Sequence, residues 1–318
     1  KRSGGSARSH QMFDVIRGVH KTLHTDLTDA EDENTNRLSA FNQGGFTVNN
    51  DDGCNGSGST NVAWCWKAGG AAVTNSDGTV SGNVSANPEA GFSIVQYTGS
   101  GGHVTRGHGL GKKPQLIIYR RYSESSSDWF VNLDDSALPE LGYDRNYLRL
   151  NTDGAVEGAN GNISPSVAPD NSAAITDTIY SIGGDLNESG KSYINYLWTS
   201  IPGYSKIGSY VGDGRSDRFA TFIYTGFRPA FVLLKRASSA ASWVVHDNKR
   251  AGYNGDNDYL HPDLSQAESD GSSGTLDLVS NGFNMRISAG THNDGTFLYM
   301  AIAEQPNGTI FGIDSDAR

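Results

Sequence analysis

The stretch YNGDNDY at 253–259 carries the side chains best suited to bind a ligand. Asn254, Asp256 and Asp258 stand at alternate positions, and their oxygen atoms are the hard ligands that calcium prefers. The spacing is loose, however, and no Glu follows to close the loop as a bidentate ligand. Asn and Asp are also common in ordinary turns. We therefore expect no resident cofactor or metal, with calcium in this loop as the alternative.

Aromatic side chains flank the same loop and recur in the variable stretch before residue 150. Sugar rings stack their C–H faces on aromatic rings, while neighbouring carboxylates accept the sugar hydroxyls. Packing of the loop or of a subunit contact is the alternative explanation for these rings. The candidate ligand-binding residues are Tyr253, Asp256, Asp258, Tyr259, Tyr143 and Tyr147.

Catalytic patterns are missing from the sequence. Laminarinase-like glycosidases place two carboxylates about 5 to 9.5 Å apart along the strands of a cleft. Here the densest acidic runs, Asp29 to Glu33 and the pair Asp134 and Asp135, lie in polar stretches. No His, Cys or carboxylate set has the spacing of a zinc site. The sequence therefore predicts no catalytic residue and no enzyme.

The composition is typical of short strands joined by tight turns. The 318 residues include 40 Gly, 9 Pro and 2 Cys, and β-branched and aromatic residues recur in runs of four to eight. No long segment keeps a helical period of 3.6 residues. The net charge of −10, with dispersed basic residues, argues against nucleic-acid binding, and no run approaches the length of a membrane span. We predict an all-β fold of tandem antiparallel β-sandwich repeats.

The sequence repeats itself. NGSGSTNVAWCW at 55–66 aligns with NESGKSYINYLW at 187–198, an offset of 187 − 55 = 132, and DLTDAE at 26–31 aligns with DLSQAE at 263–268, an offset of 263 − 26 = 237. KKPQLIIYRR in the middle of the chain parallels FRPAFVLLKR further on. The alignment predicts one partial unit followed by two complete ones.

The repeat boundaries follow from this alignment. Residues 1–67 form the C-terminal part of an incomplete sandwich, 68–90 an ordered connector, 91–203 a complete sandwich, and 204–318 a second complete sandwich with a short tail. Asp14 and Arg17 align with Asp247 and Arg250, and Glu31 aligns with Glu268. Because a reaction centre is seldom needed once per unit, we expect these charges to form structural ion pairs.

The motifs VAWCWKAGGAAVTNSDGTVSGNVSANPEAGFSIVQYTG, GYSKIGSYVGDG, YTGFRPAFVLLKR and SNGFNMRI resemble a known group of sequences. The chain is similar to the uncharacterised concanavalin-A-like repeat region of marine phage tail-fibre and virion-appendage proteins, from about Lys1 to Gln305. The resemblance implies a lectin-like β-sandwich on a virion surface, with homotrimers and other virion proteins as partners. It also implies opening strands ahead of Lys1, so we expect a processed chain or another subunit that completes the first unit.

Three hypotheses for function follow. The first is an extracellular tail fibre or similar appendage on the virion surface that binds host-surface glycans, without nucleic-acid binding or membrane insertion. The second is a purely architectural protein, a capsid decoration or a connecting fibre segment, without receptor contact. The third and least favoured is a polysaccharide depolymerase.

Overall fold

The computed structural model describes residues 1–134, 137, 146–158, 175–217, 219–250, 254, 258–269 and 275–304. In these residues the chain forms 22 β-strands, all paired antiparallel, and one four-residue helix, α1, at Asp52–Asn55. This confirms the predicted all-β fold. No helix of this part of the chain has the length and apolar character to cross a membrane. We use the names first repeat for 1–67, connector for 68–90, middle repeat for 91–203 and third repeat for 204–304.

The first repeat contains a three-stranded sheet, β1-β2-β3, and a separate hairpin, β4-β5. Its closing segment, Asn61 to Trp66, alternates between exposed and half-buried side chains. As predicted, Val62, Trp64 and Trp66 share the more buried face. The strands are β1 Gln11–Met12, β2 Lys21–His24, β3 Asp32–Glu33, β4 Leu38–Asn42 and β5 Gly45–Val48.

The middle repeat is a sandwich whose larger sheet has the order β13-β12-β11-β10-β15-β8-β7-β6, and whose smaller sheet is β14-β9. Two of its strands, β6 and β7, come from the connector, which therefore belongs structurally to this sandwich. The strands are β6 Val73–Asn75, β7 Gly82–Asn87, β8 Phe92–Thr98, β9 Val104–Gly107, β10 Leu116–Arg121, β11 Trp129–Leu133, β12 Asn146–Arg149, β13 Glu157–Gly158, β14 Ile179–Ile182 and β15 Ser192–Trp198.

The third repeat is a second sandwich, with sheets β16-β22-β18-β19 and β17-β21-β20. Its closing strand β22 lies between β16 and β18, as β15 lies between β8 and β10. The strands are β16 Ser205–Asp213, β17 Phe222–Tyr224, β18 Phe231–Arg236, β19 Val244–Asp247, β20 Leu276–Val279, β21 Gly282–Met285 and β22 Asp294–Ile302.

Each complete sandwich has its own core, and a third apolar cluster joins all the repeats. Side chains alternate across a strand, so on β15 Leu197 faces the core of the middle sandwich while Tyr196 and Trp198 face the joint cluster. On β22 Met300 faces the joint cluster and Tyr299 the core of the third sandwich. The large sheets are therefore covered on both faces. We call the joint cluster the central core; the first repeat contributes Leu23 as a buried member, with Trp64 and Trp66 among the half-buried side chains packed against it.

Equivalent hydrogen bonds connect the repeats in a closed cycle. A buried or half-buried basic side chain of each repeat donates to a backbone carbonyl of a second repeat. In return, a backbone amide of that second repeat donates to a backbone carbonyl of the repeat that carries the basic side chain. The basic pairs are Arg120 to Asp29 O, Lys235 to Asp153 O at 3.0 Å, and Lys1 to Ser265 O at 3.0 Å. The amide pairs, each 2.9 Å, are Glu31 N to Tyr122 O, Val156 N to Ala237 O, and Glu268 N to Ser3 O.

The direction of these bonds shows that the cycle is complete. The middle repeat donates its basic group to the first, the third to the middle, and the first to the third. Two indoles follow the same order, because Trp129 Nε1 donates to His24 O at 2.9 Å and Trp243 Nε1 donates to Arg149 O at 2.8 Å. A chain with two or three independent sandwiches would lack such closure. The repeats form a ring around the central core.

The predicted ion pairs are present and buried in both repeats that carry them. Arg17 Nε donates to Asp14 Oδ2 at 2.5 Å, and its Nη1 lies 3.1 Å from Glu31. Arg250 makes the same contacts with Asp247 and Glu268, at 2.7 and 2.6 Å. The same carboxylates also accept hydrogen bonds from neighbouring repeats: the Tyr196 hydroxyl donates to Asp14 at 2.8 Å, and Trp64 Nε1 donates to Asp247 at 3.2 Å.

Removing one carboxylate of these pairs should destabilise the ring strongly. Asp14→Ala leaves the Arg17 guanidinium buried with only Glu31 opposite, and breaking a buried pair in this way costs about 3 to 5 kcal/mol. Tyr196→Phe, the matched control, removes one hydrogen bond to the same carboxylate and should cost less, about 1.5 to 3 kcal/mol. Denaturant unfolding of both variants measures the difference. Equal losses would show that the ion pair contributes nothing beyond that hydrogen bond.

Candidate functional site

Three of the six residues predicted from the sequence, Tyr143, Tyr253 and Asp256, lie outside the described residues. Tyr147 lies on β12 and is 1% exposed. Its hydroxyl donates to Glu157 Oε2 at 2.9 Å, and its ring packs edge-to-face on Phe130. Burial, reinforced by the Glu157 carboxylate, raises the pKa of Tyr147 to about 12. Because the ring is buried, Tyr147 does not form the exposed platform that we predicted.

Tyr259 is half-buried and packs against three imidazoles. Its ring centroid lies 5.5 Å from that of His246, 5.4 Å from His292 and 5.3 Å from His261. Its backbone pairs with that of Ser269. This environment corresponds to the packing alternative rather than to a platform that faces solvent.

Asp258 stands beside the buried ion pair of the third repeat. Burial first, and then the neighbouring Asp258 carboxyl, raise the pKa of Glu268, while Arg250 opposes them. A guanidinium at this position competes with any cation for the carboxylate oxygens. No group of three or more His, Cys, Asp or Glu side chains that could hold a metal ion occurs among the described residues.

The structure instead shows an exposed aromatic edge on the third repeat, formed by Phe219, Phe222 and Tyr224. These side chains are 63%, 48% and 59% exposed. Large aromatic side chains at this exposure are informative when they cluster, whereas single ones are ordinary. Val211, 57% exposed, lies on the neighbouring edge strand β16. Three of the large exposed apolar side chains, Val211, Phe222 and Tyr224, therefore lie on two edge strands of one sandwich, and Phe219 lies in the turn before β17.

The alternation of β17 places two of these rings on one face. Ile223 is buried in the core of the third sandwich, so Phe222 and Tyr224 point to solvent on the other side. Residues two apart on a strand are about 7 Å apart. Along one edge β17 pairs with β21 through Phe222–Asn284 and Tyr224–Gly282. These backbone hydrogen bonds hold the strand that carries the two rings.

Charged groups surround the aromatic edge. The guanidinium carbon of Arg215 lies 5.8 Å from the centroid of the Phe219 ring, and Lys206 Nζ lies 5.4 Å from that of Tyr224. Asp217 binds Arg215 at 2.8 Å and accepts a hydrogen bond from the Phe219 amide at 2.9 Å. The edge therefore combines ring faces with both acceptors and donors at its rim.

The corresponding edge of the middle repeat is covered. There the connector strand β7 pairs with β8, and Val80 N donates to Thr105 O on β9 at 3.2 Å. A Cβ atom at Gly107 of β9 would lie 1.6 Å from Asn75 Oδ1, so the connector leaves no room for a side chain at that position. Among the residues that the structure describes, no such connector packs on the third repeat, and the aromatic rings on and beside its edge strand β17 are exposed.

Rings of this kind can stack on the C–H faces of a sugar, while Asp217, Arg215 and Lys206 can exchange hydrogen bonds with its hydroxyls. The sequence did not lead us to these residues. The alternation Phe222-Ile223-Tyr224 was visible, but it also fits a strand buried on both faces. Only the packing of the connector distinguishes the covered edge from the open one.

A family model matches residues 1–306 and is described as a domain of unknown function (DUF7483). No curated protein matches the chain, and no solved structure matches it.

The imidazoles around Tyr259 should make stability depend on pH. His246 Nε2 and His292 Nε2 are 2.9 Å apart, and burial lowers the pKa of both, that of His292 to about 3. The unfolded histidine has a pKa of about 6.5, so the unfolded state takes up protons first. The contribution of the neutral pair is complete above about pH 6.5 and is lost towards pH 3, by at most about 1.4 kcal/mol per pH unit for each histidine.

Unfolding free energies measured between pH 7 and pH 5 test this pH dependence. His292→Gln should have a shallower dependence than the unmodified chain. His103→Gln, which replaces an exposed histidine, should keep the original slope. If His292→Gln left the slope unchanged, the buried pair would not be its source.

Proposed function

Because the chain belongs to the DUF7483 family, whose function is unknown, we propose a function from its structure and its sequence resemblance: it is a non-enzymatic surface protein of a phage virion that binds host-surface glycans. The aromatic edge of the third repeat carries the proposal. It offers three exposed rings bordered by a carboxylate, a guanidinium and an ammonium group. The resemblance to tail-fibre and appendage repeats supports the virion location.

The rigidity of the surroundings favours binding by this edge. Ordering a flexible loop on binding costs free energy, and a site on a strand avoids much of that cost. The aromatic edge lies on and beside a strand whose inner face is anchored through Ile223 in a packed core. The two ring faces of Phe222 and Tyr224 are thus presented at a fixed spacing before any ligand arrives.

A purely architectural role is the second candidate, and the closed ring of repeats favours it. Three repeats joined through one core give a stiff building block, which is what a capsid decoration or a fibre segment requires. In that role the protein would assemble with copies of itself, in trimers, or with other virion proteins. Exposed aromatic rings would then serve an assembly contact rather than a glycan.

Binding of the purified chain to an array of bacterial surface glycans and to host cells tests the proposal. Replacing both Phe222 and Tyr224 by Ser should weaken binding by about tenfold or more, equivalent to about 1.4 kcal/mol, because both stacking faces are lost. Val73→Ser removes an even more exposed apolar side chain, from the connector, and should leave binding unchanged.

Two results would contradict glycan binding by this edge. One is a double variant that binds as well as the unmodified chain. The other is an unmodified chain that binds no glycan and no cell although electron microscopy locates it on the particle, which would favour the architectural role. Release of reducing sugars from host polysaccharide would instead identify an enzyme.

A further inference from the structure

A lysine on the aromatic edge replaces a serine on the covered edge of the middle repeat. Ser93 and Lys206 are the second residues of the equivalent strands β8 and β16, and each pairs with the residue one before the end of its closing strand. Both side chains donate to a carbonyl on or beside the next strand, Ser93 Oγ to His108 O and Lys206 Nζ to Tyr224 O, each at 2.7 Å. The open edge thus carries an ammonium group where the covered edge has a hydroxyl.

Tyr224 also stands where the covered edge has no side chain. Gly107 on β9 and Tyr224 on β17 each pair with the residue that precedes a fully buried ring, that of Tyr180 or Phe283. The connector leaves no room for a side chain at Gly107, whereas the Tyr224 ring is exposed. The ammonium group and the ring therefore occur together on the edge that is open to a ligand.

The positive charge of Lys206 has no carboxylate partner among the described residues. Its nitrogen contacts the carbonyl oxygen of Tyr224 and lies 5.4 Å from the centroid of the Tyr224 ring. An ammonium group has three hydrogen atoms to donate, so the bond to this carbonyl leaves two of them for a ligand. Lys206 can therefore bind an anionic group that lies beside the ring.

The other charged groups of the aromatic edge are already engaged. Arg215 binds Asp217 at 2.8 Å. The carboxylate of Asp213 accepts hydrogen bonds from the Arg215 amide at 3.0 Å and from Asn293 Nδ2 at 2.8 Å. Asp213 ends β16, and the Arg215–Asp217 pair follows it, so these groups lie at the far end of β16 from the ammonium group. The free positive charge lies at the end that carries Tyr224.

We propose that the ligand of the aromatic edge is an acidic glycan, an inference that rests on the proposed glycan binding by this edge. A sugar that carries a carboxylate, such as a uronic acid, stacks its C–H face on the Tyr224 ring and binds its carboxylate to the Lys206 ammonium group. Hydrogen bonds between charged partners are about twice as strong as neutral ones. A neutral sugar can use the same ring but gains only the weaker bond.

The charge of the whole chain makes such a preference informative. The net charge of −10 repels acidic polysaccharides in general. A preference for the acidic form of a glycan therefore has to come from a local contact and not from the overall field. Because salt screens exposed charges, this preference should also decrease as the ionic strength rises.

Acidic glycans paired with their carboxyl-reduced forms test the ligand class. The probes are the glucuronic and galacturonic acid glycans of a bacterial surface-glycan array, each printed beside the reduced form, which keeps the sugar rings and linkages and loses the charge. The unmodified chain should bind acidic forms about fivefold more tightly, as for a favourable exposed ion pair. Lys206→Met should abolish this preference and keep binding to the reduced forms, whereas Lys206→Arg should retain the preference. Lys112→Met, which removes an exposed lysine of the middle repeat, should leave it unchanged.

Three results would overturn this inference while leaving glycan binding intact. They are equal binding of the acidic and reduced forms, binding confined to neutral glycans, and a preference for the acidic form that survives in Lys206→Met. Absence of binding to every glycan would instead overturn the proposed glycan binding and this inference with it. The first two comparisons and the salt dependence use the unmodified chain, so a Lys206→Met variant that failed to fold would not affect them.

Discussion

The burial of one central core by three repeats is the constraint on which the rest of the structure depends. Each large sheet has two apolar faces, one filled by its own sandwich and one that must be covered from outside. The ring arrangement of the repeats covers this second apolar face. Because every repeat covers part of the same core, removing one would expose apolar surface on both of the others, and the hydrophobic cost would fall on all three.

Polar contacts orient the repeats around that core. Lys235 is buried completely, and its ammonium group is satisfied by three carbonyls, of Asp153, Arg236 and Ala241, at 2.8 to 3.0 Å. Burial lowers the pKa of Lys235 to about 8. A buried ammonium group without such partners would be strongly unfavourable, so this contact specifies one relative position of the repeats. The closed ring leaves the aromatic edge of the third repeat exposed.

The sequence predicted those features of the structure that are formed by similar side chains at equivalent positions of successive repeats. The strand pattern, the alternating faces of Val62 to Trp66 and the ion pairs of Arg17 and Arg250 all had visible signatures. The cyclic arrangement had none, because its acceptors are backbone carbonyls such as those of Asp29 and Ser265, whose side chains are irrelevant to the bond. The aromatic edge escaped prediction for a related reason, since its exposure depends on where the connector packs. The burial of Tyr147 could not be predicted, because nothing in a polar, variable stretch of sequence distinguishes a buried tyrosine ring from an exposed one.

Native-state hydrogen exchange under increasing denaturant tests the closed ring most directly. The amides of Glu31, Val156 and Glu268 each donate across a different junction between repeats. If the repeats form one cooperative unit, the three amides will exchange through the same global opening and report one common free energy. If the Glu31 and Glu268 amides exchanged at lower denaturant than that of Val156, the first repeat would open while the middle and third remained joined, and the account of a closed ring would be wrong.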